Sequence, residues 1–362
     1  MAKDNRGPPS LAEYADQEAV ARYEENQEIA RELRAVRMSA RESTSELDEL
    51  RQRLSLFERL DKSRLAPPKW LAPKARKGKA HLAIPSMLLT DAHWGEKVSL
   101  EQVGGVNKYD VDIAKMRMRR AFDRAVYVSK HMWSGIEYEG FNLLLGGDML
   151  SGLIHEELRE TNEESVFESI LGVVECLTAG TKMLASEFPK VHVACVVGNH
   201  GRLTRKPRAK NKVKENFDWM VYQMLARELD QDPKVAVQIA ESSDCKFAVY
   251  ETVYCLTHGD QFRGGSGISA ALSPLLLGVH RKLKRAASAG DPFDVLVMGH
   301  WHTSYWLQNV IVGGAVKGYD EFAFDKNFDF QEPRAELWLN TPERGITTHS
   351  PLFVQNRTKE GW

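Results

Sequence analysis

His81-Leu-Ala-Ile-Pro-Ser-Met-Leu-Leu-Thr-Asp-Ala-His93 decides the fold. His81 to Thr90 is an apolar run of strand length, and it ends in Asp91-Ala-His93, where two side chains able to bind protons or metals interrupt the packing residues. Downstream the same unit recurs with helical stretches between. The pattern predicts helices over Val111 to Met132, Glu163 to Glu187, Lys212 to Leu229 and Ser269 to Ala287. Strands are expected over Phe141 to Gly147, Val191 to Val197, Phe247 to Thr257 (a pair) and Val295 to Met298. Such alternation indicates an α/β layered domain. Tyr305 to Val312, Glu336 to Leu339 and Gly345 to Val354 are strand-like without intervening helices, so the sheet is expected to finish antiparallel.

Upstream of His81 the composition changes. Residues 64–80 hold three prolines and six basic side chains, and read as a basic linker that no helix continues through. Residues 1–63 have no glycine after Gly7 and no proline after Pro9. Ile29, Leu33, Val36, Ala40, Ser43, Leu47, Leu50, Leu54 and Phe57 recur in steps of four and three, the seam of a left-handed coiled coil. The expected organisation is therefore a helical extension over 1–63, a linker over 64–80 and a catalytic-sized domain over 81–362, with self-association through the extension. A single helix lying on the body is the alternative use of those residues.

Composition bounds the rest. The chain has 362 residues, 43% of them apolar, and 49 basic against 50 acidic side chains, a net charge of -1. That balance excludes neither a nucleic-acid partner nor a small anion, and only local clustering of charge informs. No apolar run approaches the roughly 18 to 20 residues that cross a bilayer. The N-terminus shows no secretory signal, so no membrane and a cytoplasmic location are expected. Cys176, Cys195, Cys245 and Cys255 form no C-x-x-C pair and read as reduced core thiols.

Five polar clusters close five of the expected strands: Asp91-Ala-His93, Gly147-Asp148, Gly198-Asn199-His200, His258-Gly259-Asp260 and Gly299-His300-Trp301-His302. Open α/β sheets place ligands at that edge. So many buried carboxylates and imidazoles on one edge would be costly unless an ion satisfied them. Mixed oxygen and imidazole donors without thiolates suit a pair of hard or borderline divalent ions roughly 3.5 to 4 Å apart, with one carboxylate as bridge. Asp148 is the natural bridge. In an extended segment Asp91 and His93 point to one face, as do His300 and His302.

The ordered motifs D-x-H, G-D, G-N-H, H and G-H-x-H over residues 91 to 302 resemble the calcineurin-like metallophosphoesterase superfamily. The resemblance implies an α/β two-sheet sandwich flanked by helices and two divalent metal ions. Asp91, His93, Asp148 and His302 would hold the first ion, and Asp148, Asn199, His258 and His300 the second. It also implies a metal-bridging hydroxide as nucleophile, no covalent intermediate, and His200 as the catalytic residue that contacts phosphate and protonates the leaving group. An imidazole with an ordinary pKa of about 6.5 suits that task. Manganese is the expected metal, with iron, zinc, nickel or magnesium as alternatives.

Two departures narrow the function. Gly147-Asp148-Met149-Leu150-Ser151-Gly152 lacks the arginine with which protein phosphatases of the superfamily clamp phosphate. Gly201 stands where many members carry an acidic partner for the histidine, leaving His155, Glu156 or Glu157 as candidate partners for His200. After that motif come Arg202, Arg205, Lys206, Arg208, Lys210, Lys212 and Lys214. Such a run at the rim would neutralise several phosphates of a polyanion. Arg202, Arg205, Lys206 and Arg208 are the candidate substrate-binding residues, and Trp94, Trp301, Tyr305 and Trp306 are candidates for stacking bases. A basic rim with an oligomerising helix is similar to the nuclease branch that includes bacterial SbcD. The tail from Gly313 to Phe322 is similar to that of compact phosphoesterases of bacteriophages, which would place it in a host cytoplasm. The expected activity is hydrolysis of nucleic acid, DNA first. A small-molecule phosphoesterase, or a decayed metal- or nucleic-acid-binding module, are the alternatives.

Overall fold

In the computed structural model the structure describes residues 81–262 and 272–362, together with Arg22, Arg31, Leu33, Arg34, residues 36–41, Thr44 and Leu71. The chain divides into two compact units, Met1–Lys62 and Ser63–Trp362. In the first, the described residues are helical and exposed, Leu33, Val36 and Ala40 of the predicted seam among them. The rest of the coiled-coil seam, and the linker apart from Leu71, lie outside the described residues. Leu71 itself is fully buried in the core of the second unit.

The second unit has twelve described strands: β1 (His81–Leu89), β2 (Ile136–Tyr138), β3 (Phe141–Leu145), β4 (Val191–Cys195), β5 (Val235–Ile239), β6 (Asp244–Val249), β7 (Thr252–Thr257), β8 (Val295–Met298), β9 (Tyr305–Leu307), β10 (Val310–Val312), β11 (Arg334–Thr341) and β12 (Gly345–Phe353). Its described helices are α1 (Val111–Tyr127), α2 (Glu156–Thr161), α3 (Val166–Glu187), α4 (Phe217–Glu228), α5 (Leu272–Ser288), α6 (Glu321–Asp325) and α7 (Arg357–Glu360). One sheet runs β12-β11-β1-β3-β4-β5 with β2 also on β1, and the other runs β6-β7-β8-β10-β9. β1, β3, β4 and β5 are parallel, and β11 and β12 close the first sheet antiparallel, as the sequence implied.

This is an α/β two-sheet sandwich flanked by helices. Ile84, Leu88, Leu144 and Trp338 of the large sheet meet Phe247, Tyr254, Leu256 and Val297 of the small one in a single core. α5 covers the other face of the small sheet through Leu275 and Val279. α1, α3 and α4 cover the other face of the large sheet. β1 is therefore buried on both sides, which is why its sequence reads as a continuous apolar run instead of alternating.

One row in that core is polar. Asn340 of β11, Ser86 of β1, Asn142 of β3, His192 of β4 and Gln238 of β5 lie side by side across five strands. Asn340 and Asn142 both donate to Ser86 Oγ, at 2.9 and 3.1 Å. The His192 ring spans from Asn142 Oδ1 (2.8 Å) to Gln238 Oε1 (3.0 Å).

The helix expected from Lys212 begins instead at Phe217, because the Asn216 side chain accepts from the Asp218 N–H and starts it there. The basic run before it is a loop pinned by the bridge Arg202 to Asn216. α1 continues past Tyr127 as one π-helical turn to Met132, so the predicted span is right in length. No helix among the described residues is long and apolar enough to cross a membrane.

Candidate metal centre

The C-terminal ends of β1, β3 and β4 face those of β7 and β8, and all seven proposed ligands come from the turns that follow. Those turns are not extended. Asp91, His93, Asp148, His300 and His302 have φ between 45° and 69°, so the alternation argument for Asp91 and His93 and for His300 and His302 does not describe how they are aimed. Left-handed turns aim them, a conformation that costs a non-glycine residue of order 1–3 kcal/mol and persists only where the surroundings enforce it. Enforcement is visible. Asp91 and His93 donate their N–H groups to the carbonyls of Gly147 and Asp148, and Gly299 N–H donates to the His258 carbonyl. A Cβ on Gly198 would lie 2.0 Å from Asp148 Oδ1, and one on Gly299 2.4 Å from Asp91 Oδ2, so only glycine leaves room for these carboxylates.

The ligand atoms fall into groups within 4.8 Å of one another: Asp91, His93 and His302; His93, Asp148 and His200; Asp148, His258 and His300. In the first, Asp91 Oδ2 is taken by the Thr90 hydroxyl and the His300 N–H, while Oδ1 is buried with no hydrogen bond. That oxygen faces His302 Nε2 at 3.5 Å and His93 Nε2 at 3.9 Å. The two imidazole nitrogens are 3.2 Å apart. In the last group His258 donates Nδ1–H to the Gly146 carbonyl, which aims Nε2 at Asp148 Oδ2 (3.0 Å) and Asn199 Oδ1 (3.1 Å).

Both arrangements call for positive charge between the donors. Burial lowers the basicity of His258, but the Asp148 carboxylate outweighs it and raises the pKa to about 10. Burial, then the His258 charge, lower His300 to about 4. A divalent cation fits the donors: an orphaned carboxylate oxygen, two facing imidazole nitrogens, and oxygen and nitrogen atoms without a thiolate.

His200 lies beside this set. Its backbone N–H donates to Asp148 Oδ1 at 2.7 Å and its Nδ1 donates to the Ser151 carbonyl at 2.9 Å. That carbonyl, not an acid, orients the ring. Of the candidate partners, His155 only packs its ring 5.7 Å away and Glu156 pairs with Arg205 at 2.6 Å. Burial holds the His200 pKa below its ordinary value, against the opposing pull of Asp148.

The basic residues divide. Arg202 spends its guanidinium on the carbonyls of Asn199, Thr204 and Arg205, so it shapes the loop around a candidate ligand. Lys212 pairs with Asp260 at 2.7 Å, tying the loop to the turn after His258. Arg205, Lys206 and Arg208 are exposed. Two of the aromatic candidates are engaged elsewhere. Trp94 is 1% exposed and bonds Glu164, and Trp306 stacks on His349 and bonds Glu336.

Three residues behind the centre have no signal in the sequence. Asp218, fully buried, accepts the backbone N–H groups of Asp148, Met149 and Gly198 and so ties two ligand turns together. Burial and the nearby Asp148 charge push its pKa up to about 7. Glu96 Oε2 stands 3.4 Å from His93 Nδ1. Lys317, buried between Glu96 (2.8 Å) and Asp320 (2.5 Å), balances both charges. Its backbone N–H reaches the Asp91 carbonyl.

The sequence matches no family model and no curated protein. Solved structures with some likeness include a predicted phosphoesterase from Streptococcus pneumoniae (11% identity, 74% of this chain and 97% of that one, TM-score 0.27). Others are Vacuolar Protein Sorting 29 from Cryptosporidium parvum (12%, 74% and 97%, 0.30) and a dimetal phosphatase from Danio rerio (10%, 75% and 99%, 0.36). Likenesses this remote carry no weight for the chemistry of this chain, which rests on its own side chains.

Proposed function

We propose that this protein is a metallophosphoesterase of the calcineurin-like superfamily that hydrolyses phosphodiesters of nucleic acid, DNA first, with two divalent ions, manganese the expected pair. The observation that carries the reading is the buried, hydrogen-bond-free Asp91 Oδ1 facing two imidazole nitrogens, beside a second group built on Asp148. Asp91, His93, Asp148 and His302 would hold one ion, and Asp148, Asn199, His258 and His300 the other. When bound, the ions supply an activated water and neutralise charge developing on the phosphate. Asp148 lies within ligand distance of His93 and His200 in one group and of His258 and His300 in another, and Glu96 Oε2 stands behind the His93 ring, 3.4 Å from Nδ1. With Nδ1–H fixed on Ser151, His200 keeps Nε2 for the substrate and can pass a proton to the leaving oxygen. Exposed Arg205, Lys206 and Arg208 favour a polyanion over a lone phosphate. The nuclease branch of the superfamily and a self-associating N-terminal helix belong to the same reading.

A small-molecule phosphoesterase is the second reading, favoured by the internal bonding of Arg202 and Lys212. Hydrolysis of DNA, a small phosphodiester and a phosphomonoester with Mn²⁺ separates the two, using chelator and Asp148→Ala as controls. Cleavage of DNA lost in both controls is expected. Turnover of the small esters alone would select the second reading, and full activity of Asp148→Ala would sink both.

A further inference from the structure

Between β10 and β11 the chain makes an excursion, Tyr319-Asp-Glu-Phe-Ala-Phe-Asp-Lys-Asn-Phe-Asp-Phe330, that turns four phenyl rings to solvent. Phe322 is 64% exposed, Phe324 49%, Phe328 56% and Phe330 46%. Large apolar side chains this exposed and this clustered mark a binding surface. Phe322 and Phe328 stand edge to face with centroids 5.9 Å apart, and Tyr319 meets Phe330 at 5.7 Å, so the rings support one another.

Both ends of the excursion are tied to the rim of the candidate metal centre. Asp320 caps α6 and bonds Lys317, whose backbone reaches Asp91. Gln331 Oε1 accepts the N–H of Ser304, two residues past His302. The rings therefore leave the centre from the β1 side, and the cationic loop carrying Arg205, Lys206 and Arg208 leaves it from the β4 side. The carboxylates of the excursion are largely engaged: Asp320 by Lys317, Asp325 by Lys326, and Glu321 by the Ser99 N–H.

We propose that this excursion is a stacking platform for unpaired bases, which makes single-stranded nucleic acid the substrate class of the centre. The inference rests on the nucleic-acid reading above and adds a contact to it. A strand crossing the centre offers phosphates to the cationic side and base faces to the phenyl side. Only unpaired bases have free faces, because a duplex stacks them on one another.

The test measures binding of a fluorescent single-stranded oligonucleotide to the full chain by anisotropy, with chelator present so that nothing is cleaved. It compares wild type, Phe322→Ala/Phe328→Ala, Phe322→Tyr/Phe328→Tyr and Arg205→Gln/Lys206→Gln. The Ala pair should weaken binding about 10-fold or more, and the Tyr pair, which keeps the rings, should not. The slope of log affinity against log salt should stay in the Ala pair and flatten in the Gln pair, since stacking releases no counterions and phosphate contacts do. Wild-type affinity of the Ala pair, or equal wild-type affinity for duplex and single strand, would overturn the proposal while leaving the nucleic-acid reading standing. A changed mass of the Ala pair by light scattering would make the rings a protein interface and overturn it too. No binding of either nucleic acid by wild type, with turnover of a small phosphodiester intact, would remove the nucleic-acid reading itself.

Discussion

Asp91, His93, Asp148, His300 and His302 all hold left-handed backbone, and each is a residue that the motifs had singled out. Identity and order were legible in the sequence because few residue types bind metals and they recur at strand ends. Their aim was not, since it depends on N–H groups donated across turns far apart in the sequence, from Asp91 to Gly147, from His93 to Asp148 and from Gly299 to His258. Asp218 was illegible for the same reason: it touches backbone, and backbone has no letter. For His200 the Ser151 carbonyl supplies what an acid supplies elsewhere, so His200→Ala should keep its metal content and lose about 10²- to 10⁴-fold in kcat. Loss of metal along with rate, measured by elemental analysis, would make the histidine structural instead. His192 yields a prediction about stability. Burial, opposed by its bond to Gln238, lowers its pKa from 6.5 to about 4. The unfolded chain therefore binds the proton first, and stability is complete above pH 6.5 and falls as pH drops toward 4, by about 3 kcal/mol. Urea denaturation across that window should show the slope in wild type and a flatter one in His192→Gln.

Elements were legible in proportion to their length. The long helices and the buried strands fell within a few residues of their predicted spans, because an apolar period sustained over many residues has few alternatives. β2, three residues long, and β5, which follows a turn, were missed: a short edge strand is defined by its neighbour more than by its own composition. The end of the basic run, from Lys212, was placed in a helix that begins only at Phe217, where the Asn216 side chain caps it, and Arg202 bonds three carbonyls of its own loop, a use of arginine that spacing does not reveal. Between the turn after β1 and the segment after β10, Lys317 joins two buried carboxylates. Lys317→Met would leave both without a counter-charge, and the expected loss is about 3–5 kcal/mol. Thermal unfolding is the check, and a variant as stable as wild type would show that the two carboxylates are protonated in the fold. Metal affinity should fall with it, because Glu96 would no longer be held against His93.

At the scale of the whole molecule, the Met1–Lys62 unit and the Ser63–Trp362 unit make separate predictions. Deleting residues 1–62 should leave a folded monomer, and an unchanged number of subunits by light scattering would refute self-association through the extension. The layered body was legible from the order of its elements, while the stacking of two sheets face to face was implied only by the resemblance that the motif set carries. The polar row across β11, β1, β3, β4 and β5 bears on how such a body assembles. A strand that slides by two residues keeps every greasy side chain pointing inward, so hydrophobicity alone cannot tell the right alignment from the next one along. Here such a slip would carry Asn142 or His192 away from its neighbours and bury an unanswered amide or imidazole, at about 1–3 kcal/mol for each group left alone. The row thus works as a set of alignment pegs, and it delivers the ends of three parallel strands, with the ligands they carry, to the same height.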